Sequence, residues 1–174
     1  MQSVELLLDE VTSAAVVRQW RLLADAGLPS QARHRGETNA PHVTIGLATS
    51  IDDAAEASLV SATPALPLRV RLGALVLFGG RRHVVLARMV VVTQELLALH
   101  QEVSGALADC PGQVDHLATG RWVPHVTLAR RIAPTSLEAA LSALSDERAE
   151  PLDGDAVALR RWDSEARRAW TLTP

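Results

Sequence analysis

The sequence predicts an α+β fold in a single domain spanning all 174 residues. Two observations carry that prediction. Strand-like alternation and helical stripes follow one another in mixed order, with hairpins beside crossover helices, which disfavours a doubly wound parallel sheet. The tetrapeptide Pro-His-Val-Thr also occurs twice, at residues 41–44 and 124–127, 83 residues apart from His42 to His125 and so close to half the chain. A unit that recurs at this distance divides the chain into two similar halves.

Taken in order, residues 3–8 read as a first strand. A helix is expected over 12–26, with Val16, Val17, Trp20, Leu23 and Leu28 on its apolar stripe and Gly27-Leu28-Pro29 as its stop. Residues 29–41 are polar and contain Gly36, Asn39 and Pro41, which makes a loop; 42–48 alternate as a strand. Asp52 and Asp53 open a short helix to about Ser61, broken by Pro64 and Pro67. Residues 68–78 form a long strand, Gly79-Gly80-Arg81-Arg82 a hairpin turn, and 83–91 the returning strand. Thr93 caps a helix to about Leu107, with Glu95 in its first turn. Residues 111–120 are a second loop, 121–129 a strand, and Pro134, Thr135 and Ser136 open a helix to about Arg148. Two closing strands are expected near 157–162 and 169–172 around the turn Asp163-Ser164-Glu165, with Arg160-Arg161 and Arg167-Arg168 on a solvated hairpin face.

Composition narrows the function. Apolar residues make up 48% and charged residues 21%, an ordinary globular balance, and the net charge of −3 supplies no whole-molecule attraction to nucleic acid. With Cys110 as the only cysteine, no intrachain disulfide can form, and a reducing compartment is expected. The first residues lack a basic stretch before an apolar run, and the longest apolar run, 84–92, is interrupted by Arg88 and too short for a membrane span. The expectation is a cytoplasmic monomer with no membrane partner.

The repeat carries the chemistry. In a strand, residues i and i+2 point to one face, so His42 and Thr44 share a face and Val43 and Ile45 the other; His125 and Thr127 oppose Val126 and Leu128 in the same way. A proline at each strand entry removes a backbone donor where pairing begins. If the halves pack with approximate two-fold symmetry, a groove holds two imidazoles and two hydroxyls. One neutral imidazole can take a proton from an attacking water, and one protonated imidazole can give a proton to the departing oxygen, since histidine titrates near ~6.5. Threonine hydroxyls can donate to non-bridging phosphate oxygens. No third His, Cys or carboxylate stands at short ligand spacing from either motif, so neither a metal nor another cofactor is expected.

Through His42-Val43-Thr44-Ile45 and His125-Val126-Thr127-Leu128 the chain resembles the two-histidine (2H) phosphoesterase superfamily, and within it the 2′-5′ RNA ligase and RNA 2′,3′-cyclic phosphodiesterase family. The second copy, which continues through Ala129 to Arg130, is the fuller match. The resemblance implies a bilobal fold, two pseudo-symmetric lobes with antiparallel sheets around a central groove, one motif in each. It also implies metal-free hydrolysis of a 2′,3′-cyclic phosphate to a 2′-phosphate, with reversible 2′-5′ ligation as a related activity. The partner it implies is a 2′,3′-cyclic phosphate nucleotide or a short RNA end. By the same analogy His125 is the general base, His42 the general acid, and Thr44 and Thr127 hold the phosphate. The alternative is a binding module for nucleotides or RNA ends that uses the same groove without turnover.

Arg130 is a further phosphate-binding candidate by its family position, yet it lies three residues beyond Thr127, and a regular strand would turn it away from the groove. Aromatic residues are only 3% of the chain, and Phe78 and Trp122 are the candidates for base stacking near the strand ends. Few aromatics and an acidic balance favour a small cyclic nucleotide or a short end over long RNA. Arg81 and Arg82, and the cluster Arg33-His34-Arg35, are basic groups that could border the groove.

Overall fold

The computed structural model describes residues 1–34, 36, 38–147 and 150–172. Among these lie seven strands, β1 (Gln2–Leu8), β2 (His42–Ala48), β3 (Leu68–Gly79), β4 (Val84–Val90), β5 (His125–Ile132), β6 (Leu152–Asp163) and β7 (Arg168–Leu172). Four helices accompany them, α1 (Glu10–Asp25), α2 (Asp53–Ser61), α3 (Gln94–Ala106) and α4 (Leu137–Ala143). The class is α+β, with every strand pairing antiparallel.

The strands run in the order β1-β2-β5-β4-β3-β6-β7, and a further pairing of β1 with β6 closes six of them into a circuit. Strand β6 makes this possible by its length. Its first residues pair with β3 (Leu68↔Ala156 through Leu72↔Leu152), and its remainder lies between β1 and β7. At the opposite side of the circuit β2 and β5 meet through one pair only, Val43↔Val126. The two motif strands therefore touch at their motifs and diverge beyond them, which leaves a groove between a β6-β1-β2 lobe and a β3-β4-β5 lobe.

Each motif strand is backed by the helix of the other half. Helix α3, capped by the Thr93 side chain, packs behind β2 through Val103 and Leu107; a Cβ at Gly46 would lie 2.6 Å from Leu107 Cδ1. Helix α1 packs behind β5 and β6, and its Asp9 cap also accepts from the Asp155 N–H of β6 at 2.7 Å. The apolar stripe of α1 (Val16, Trp20, Leu23) and the inward residues Val43, Ile45, Val126 and Leu128 are buried together.

Several boundaries differ from the sequence expectation. Strand β5 begins at His125, not 121, because Trp122 is turned into the core and Pro124 contributes no donor; it runs on to Ile132. The helix after it starts as a 3-10 turn at Pro134–Ser136 and ends at Ala143; the expected end at Arg148 lies outside the described residues, as does Arg35. Strand β6 begins at Leu152, ahead of the expected start at Val157. Its first half is polar and lacks an apolar alternation, but Asp153 and Asp155 sit across from Arg71 and Arg69 and pair with them at 2.9 and 3.5 Å. Arg160 and Arg161 are not on a solvated face: both are buried, Arg160 against Glu5 and Arg161 against Glu56, Gln2 and the Ile51 carbonyl.

Candidate active site

Burial along the motif strands follows the expected parity. His42 and Thr44 on β2, and His125 and Thr127 on β5, are half-buried, whereas Val43, Ile45, Val126 and Leu128 are buried on the other face. The antiparallel register centred on Val43↔Val126 sets each histidine beside the threonine of the other motif. The four side chains thus line one floor, supplied equally by two strands.

Both imidazoles are oriented in the same way. His42 Nδ1 lies 2.8 Å from the Ala40 carbonyl, and His125 Nδ1 lies 2.8 Å from the Val123 carbonyl. A carbonyl only accepts, so each Nδ1 carries the hydrogen and each Nε2 is left for the groove. The backbone beneath is fixed symmetrically too. Trp122 Nε1 donates to the Thr44 carbonyl at 3.0 Å, and Trp20 Nε1 donates to the Thr127 carbonyl at 3.0 Å.

Just past each motif threonine the strand gains one residue. On β2 the register passes from Thr44↔Glu5 to Gly46↔Val4, and on β5 from Thr127↔Ala87 to Ala129↔Leu86. Two consecutive residues are buried in each case, Ile45-Gly46 and Leu128-Ala129. Such a bulge inverts the alternation that follows. Arg130 therefore returns to the face of His125, where its charge opposes protonation of that ring. Leu47 holds the equivalent place on β2.

The surroundings of the two histidines differ. Next to Thr127 on β4 stands Ala87, and beyond it on β3 Val76; next to Thr44 on β1 stands Glu5, and beyond it on β6 Arg160. The His125 side is therefore apolar, and the Phe78 ring lies 4.5 Å from the His125 ring at 43°. Burial is the largest influence on His125 and holds it below its ordinary 6.5; the bond to Val123 acts the other way, and Arg130, His42 and His116 add to the lowering. On the His42 side, Glu5 Oε1 lies 3.6 Å from His42 Nε2. Among the described residues no group of three or more His, Cys, Asp or Glu side chains could hold a metal ion.

The aromatic candidates separate. Phe78 is half-buried on the groove face of β3. Trp122 is not a stacking platform: it is 9% exposed, and one face is covered by the His100 ring at 4.2 Å and 5°. It serves the Thr44 backbone instead. Trp162, half-buried on β6 opposite Ser3, occupies the position on its lobe that Phe78 occupies on the other. Sequence reading missed Trp162, Ser3, Glu5 and Arg160, because all four lie far from the motifs in the chain. The one available signal was Glu5 itself, a single carboxylate among the apolar residues Val4, Leu6, Leu7 and Leu8 of β1. Arg81 and Arg82 are exposed in the β3–β4 turn, and Arg33 and His34 are exposed in the loop before β2.

Comparison with known proteins agrees with this architecture. No curated protein sequence matches the chain. Among solved structures, TT0787 of Thermus thermophilus is similar over 98% of this chain and 94% of its own, with 18% identity and a TM-score of 0.57. Usb1 of Kluyveromyces marxianus is similar over 99% and 97%, with 13% identity and a TM-score of 0.53, and has also been solved with uridine monophosphate. At these identities the likeness shows the fold. No described helix is long and apolar enough to cross a membrane. Residues 8–166 match the 2′-5′ RNA ligase superfamily, and with that match over most of its length the chain belongs to this superfamily of 2H phosphoesterases.

Proposed function

We propose that this protein is a metal-free phosphodiesterase that opens 2′,3′-cyclic phosphates, on nucleotides or short RNA ends, to 2′-phosphates. The observation that carries the reading is the paired presentation of two Nε2 atoms, each with its Nδ1 fixed on a backbone carbonyl and each beside the threonine of the other motif. Superfamily membership and the uridine monophosphate held by the Kluyveromyces relative support the substrate class.

In this mechanism His125 is the base. Its lowered pKa keeps it neutral, so Nε2 takes a proton from water. The water oxygen bonds to phosphorus, the bond from phosphorus to O3′ breaks, and His42 Nε2 gives its proton to O3′. The products are a 2′-phosphate monoester and a free 3′-hydroxyl, and one proton has moved from water to the leaving oxygen. Thr44 and Thr127 donate to the non-bridging oxygens, and Arg130 neutralises the charge that builds on them. With the 5′-hydroxyl of an RNA end attacking in place of water, the same groups would form a 2′-5′ linkage. Phe78 supplies an apolar face for the base beside His125.

The test is turnover of a panel of 2′,3′-cyclic nucleotides and short cyclic-ended RNAs with EDTA present. Each of His42→Ala and His125→Ala should lower kcat/KM by about 10²–10⁴-fold. Unchanged turnover in both variants, or loss with EDTA that a divalent ion restores, would defeat the reading.

A further inference from the structure

Glu5 is a buried carboxylate for which the reaction above has no use. It is 3% exposed, on the groove face of β1, and its oxygens are divided between two tasks. Oε2 accepts from Arg160 Nε at 2.9 Å and Nη2 at 2.5 Å. Oε1 accepts from Ser3 Oγ at 2.8 Å and faces His42 Nε2 at 3.6 Å. Arg160 in turn donates to the Thr38 carbonyl at 2.9 Å, in the loop that leads into β2. Burying two charges is unfavourable unless both are well bonded, and the other lobe shows that the fold does not need them: Ala87 and Val76 fill the matching positions.

We propose that Glu5 is a positioning residue for His42. Three hydrogen bonds fix the carboxylate, so its negative charge stands at a set place beside Nε2. The 3.6 Å separation is longer than a hydrogen bond, so the Nε2 donor remains free to aim at the leaving oxygen. Arg160 holds Glu5 and, through Thr38, the loop that leads into the strand carrying His42. His125, whose lobe has Ala87 and Val76 in place of this pair, is the histidine whose Nε2 begins the reaction without a proton. This inference rests on the acid role given to His42 above.

The experiment compares an ordinary 2′,3′-cyclic nucleotide with its analogue carrying sulfur at the bridging 3′ position, whose thiolate departs without needing a proton. Three forms of the full chain are measured: wild type, Glu5→Gln, and the double variant Glu5→Ala/Arg160→Val, which copies the Ala87/Val76 pair of the other lobe and keeps a folded reference if the single variant is unstable. The expected result is a loss in kcat on the oxygen substrate of about 10–100-fold, smaller than the ~10²–10⁴ of losing an acid outright, with KM little changed and the sulfur substrate nearly unaffected. Equal losses on both substrates, or no loss on either, would overturn the proposal. His42→Ala is the control that separates the two layers: if it too loses equally on both substrates, the acid role of His42 is what fails; if it loses only on oxygen while both Glu5 variants do not, the failure lies with Glu5.

Discussion

Between Thr127 and Arg130 the chain advances three residues, an odd step that in a regular strand turns a side chain to the opposite face. The extra residue at Leu128-Ala129 makes the step even again, and Arg130 lies on the groove side of β5. Its charge is one of the influences that hold His125 below its ordinary value, after burial. Replacing Arg130 with Gln should therefore act twice. The loss of a charged donor to phosphate, worth about 1.5–3 kcal/mol, lowers kcat/KM by about 10–100-fold. Removing a positive charge beside the ring also raises the His125 pKa, so the acid limb that His125 sets in the kcat/KM profile should move to higher pH. A pH series of initial rates on wild type and Arg130→Gln checks both, and a limb that stays in place would remove Arg130 from the electrostatics of His125.

Helix α1 shows the same kind of dependence one level up. Its cap, Asp9, accepts from Thr12 N at 2.9 Å and Thr12 Oγ1 at 2.7 Å, and from the Asp155 N–H of β6 at 2.7 Å, so one carboxylate fixes the helix start and ties it to the sheet. Burial alone would raise the Asp9 pKa; the bonds from Asp155, Thr12 and Val11 outweigh it and hold the carboxyl below 3.8. Asp9→Ala should cost about 1–2 kcal/mol in urea unfolding at neutral pH. A carboxylate with a depressed folded pKa stabilises above its unfolded value and loses that contribution as pH falls through the folded value. The gap between wild type and Asp9→Ala should accordingly narrow below pH 3.8, and a gap that widened on acidification would contradict this account. The expected strand and helix order was legible here because α1, α3 and the motif strands each carry a local periodicity with a cap or a proline at the edge. What was not legible is what depends on partners distant in the chain. The start of β6 is held by Arg69 and Arg71 across the sheet, Trp122 is drawn inward by the Thr44 carbonyl and His100, and Arg160 is buried because Glu5, 155 residues away in the chain, lies opposite. The bulges were likewise invisible, since the sequence Leu128-Ala129 continues an apolar strand as well as it forms an irregularity.

At the scale of the whole molecule, charge decides how much of a nucleic acid the groove can use. The net charge is −3, and two of the arginines nearest the motifs in space or sequence, Arg160 and Arg88, are consumed internally by Glu5 and by Gln19 and backbone carbonyls. Arg130 is left on the groove face of β5, with Arg33, Arg81 and Arg82 exposed in loops. A protein that binds a long single strand tracks its backbone with many cations, and each neutralised phosphate contributes about −0.7 to the slope of log K against log salt. With one phosphate held by fixed groups, the slope here should be about −1 or shallower. The same reasoning gives the length dependence: extending the substrate from a cyclic mononucleotide to a cyclic-ended decamer at ~0.15 M salt should change kcat/KM by less than about 10-fold, because nucleotides beyond the first one or two meet little positive surface. Competition assays across substrate length at two salt concentrations measure both quantities. A steep salt slope together with a large gain on lengthening would mean that the exposed loop arginines form a continuous track for RNA, and the small-substrate reading would have to be abandoned while the chemistry at His42 and His125 stood unchanged.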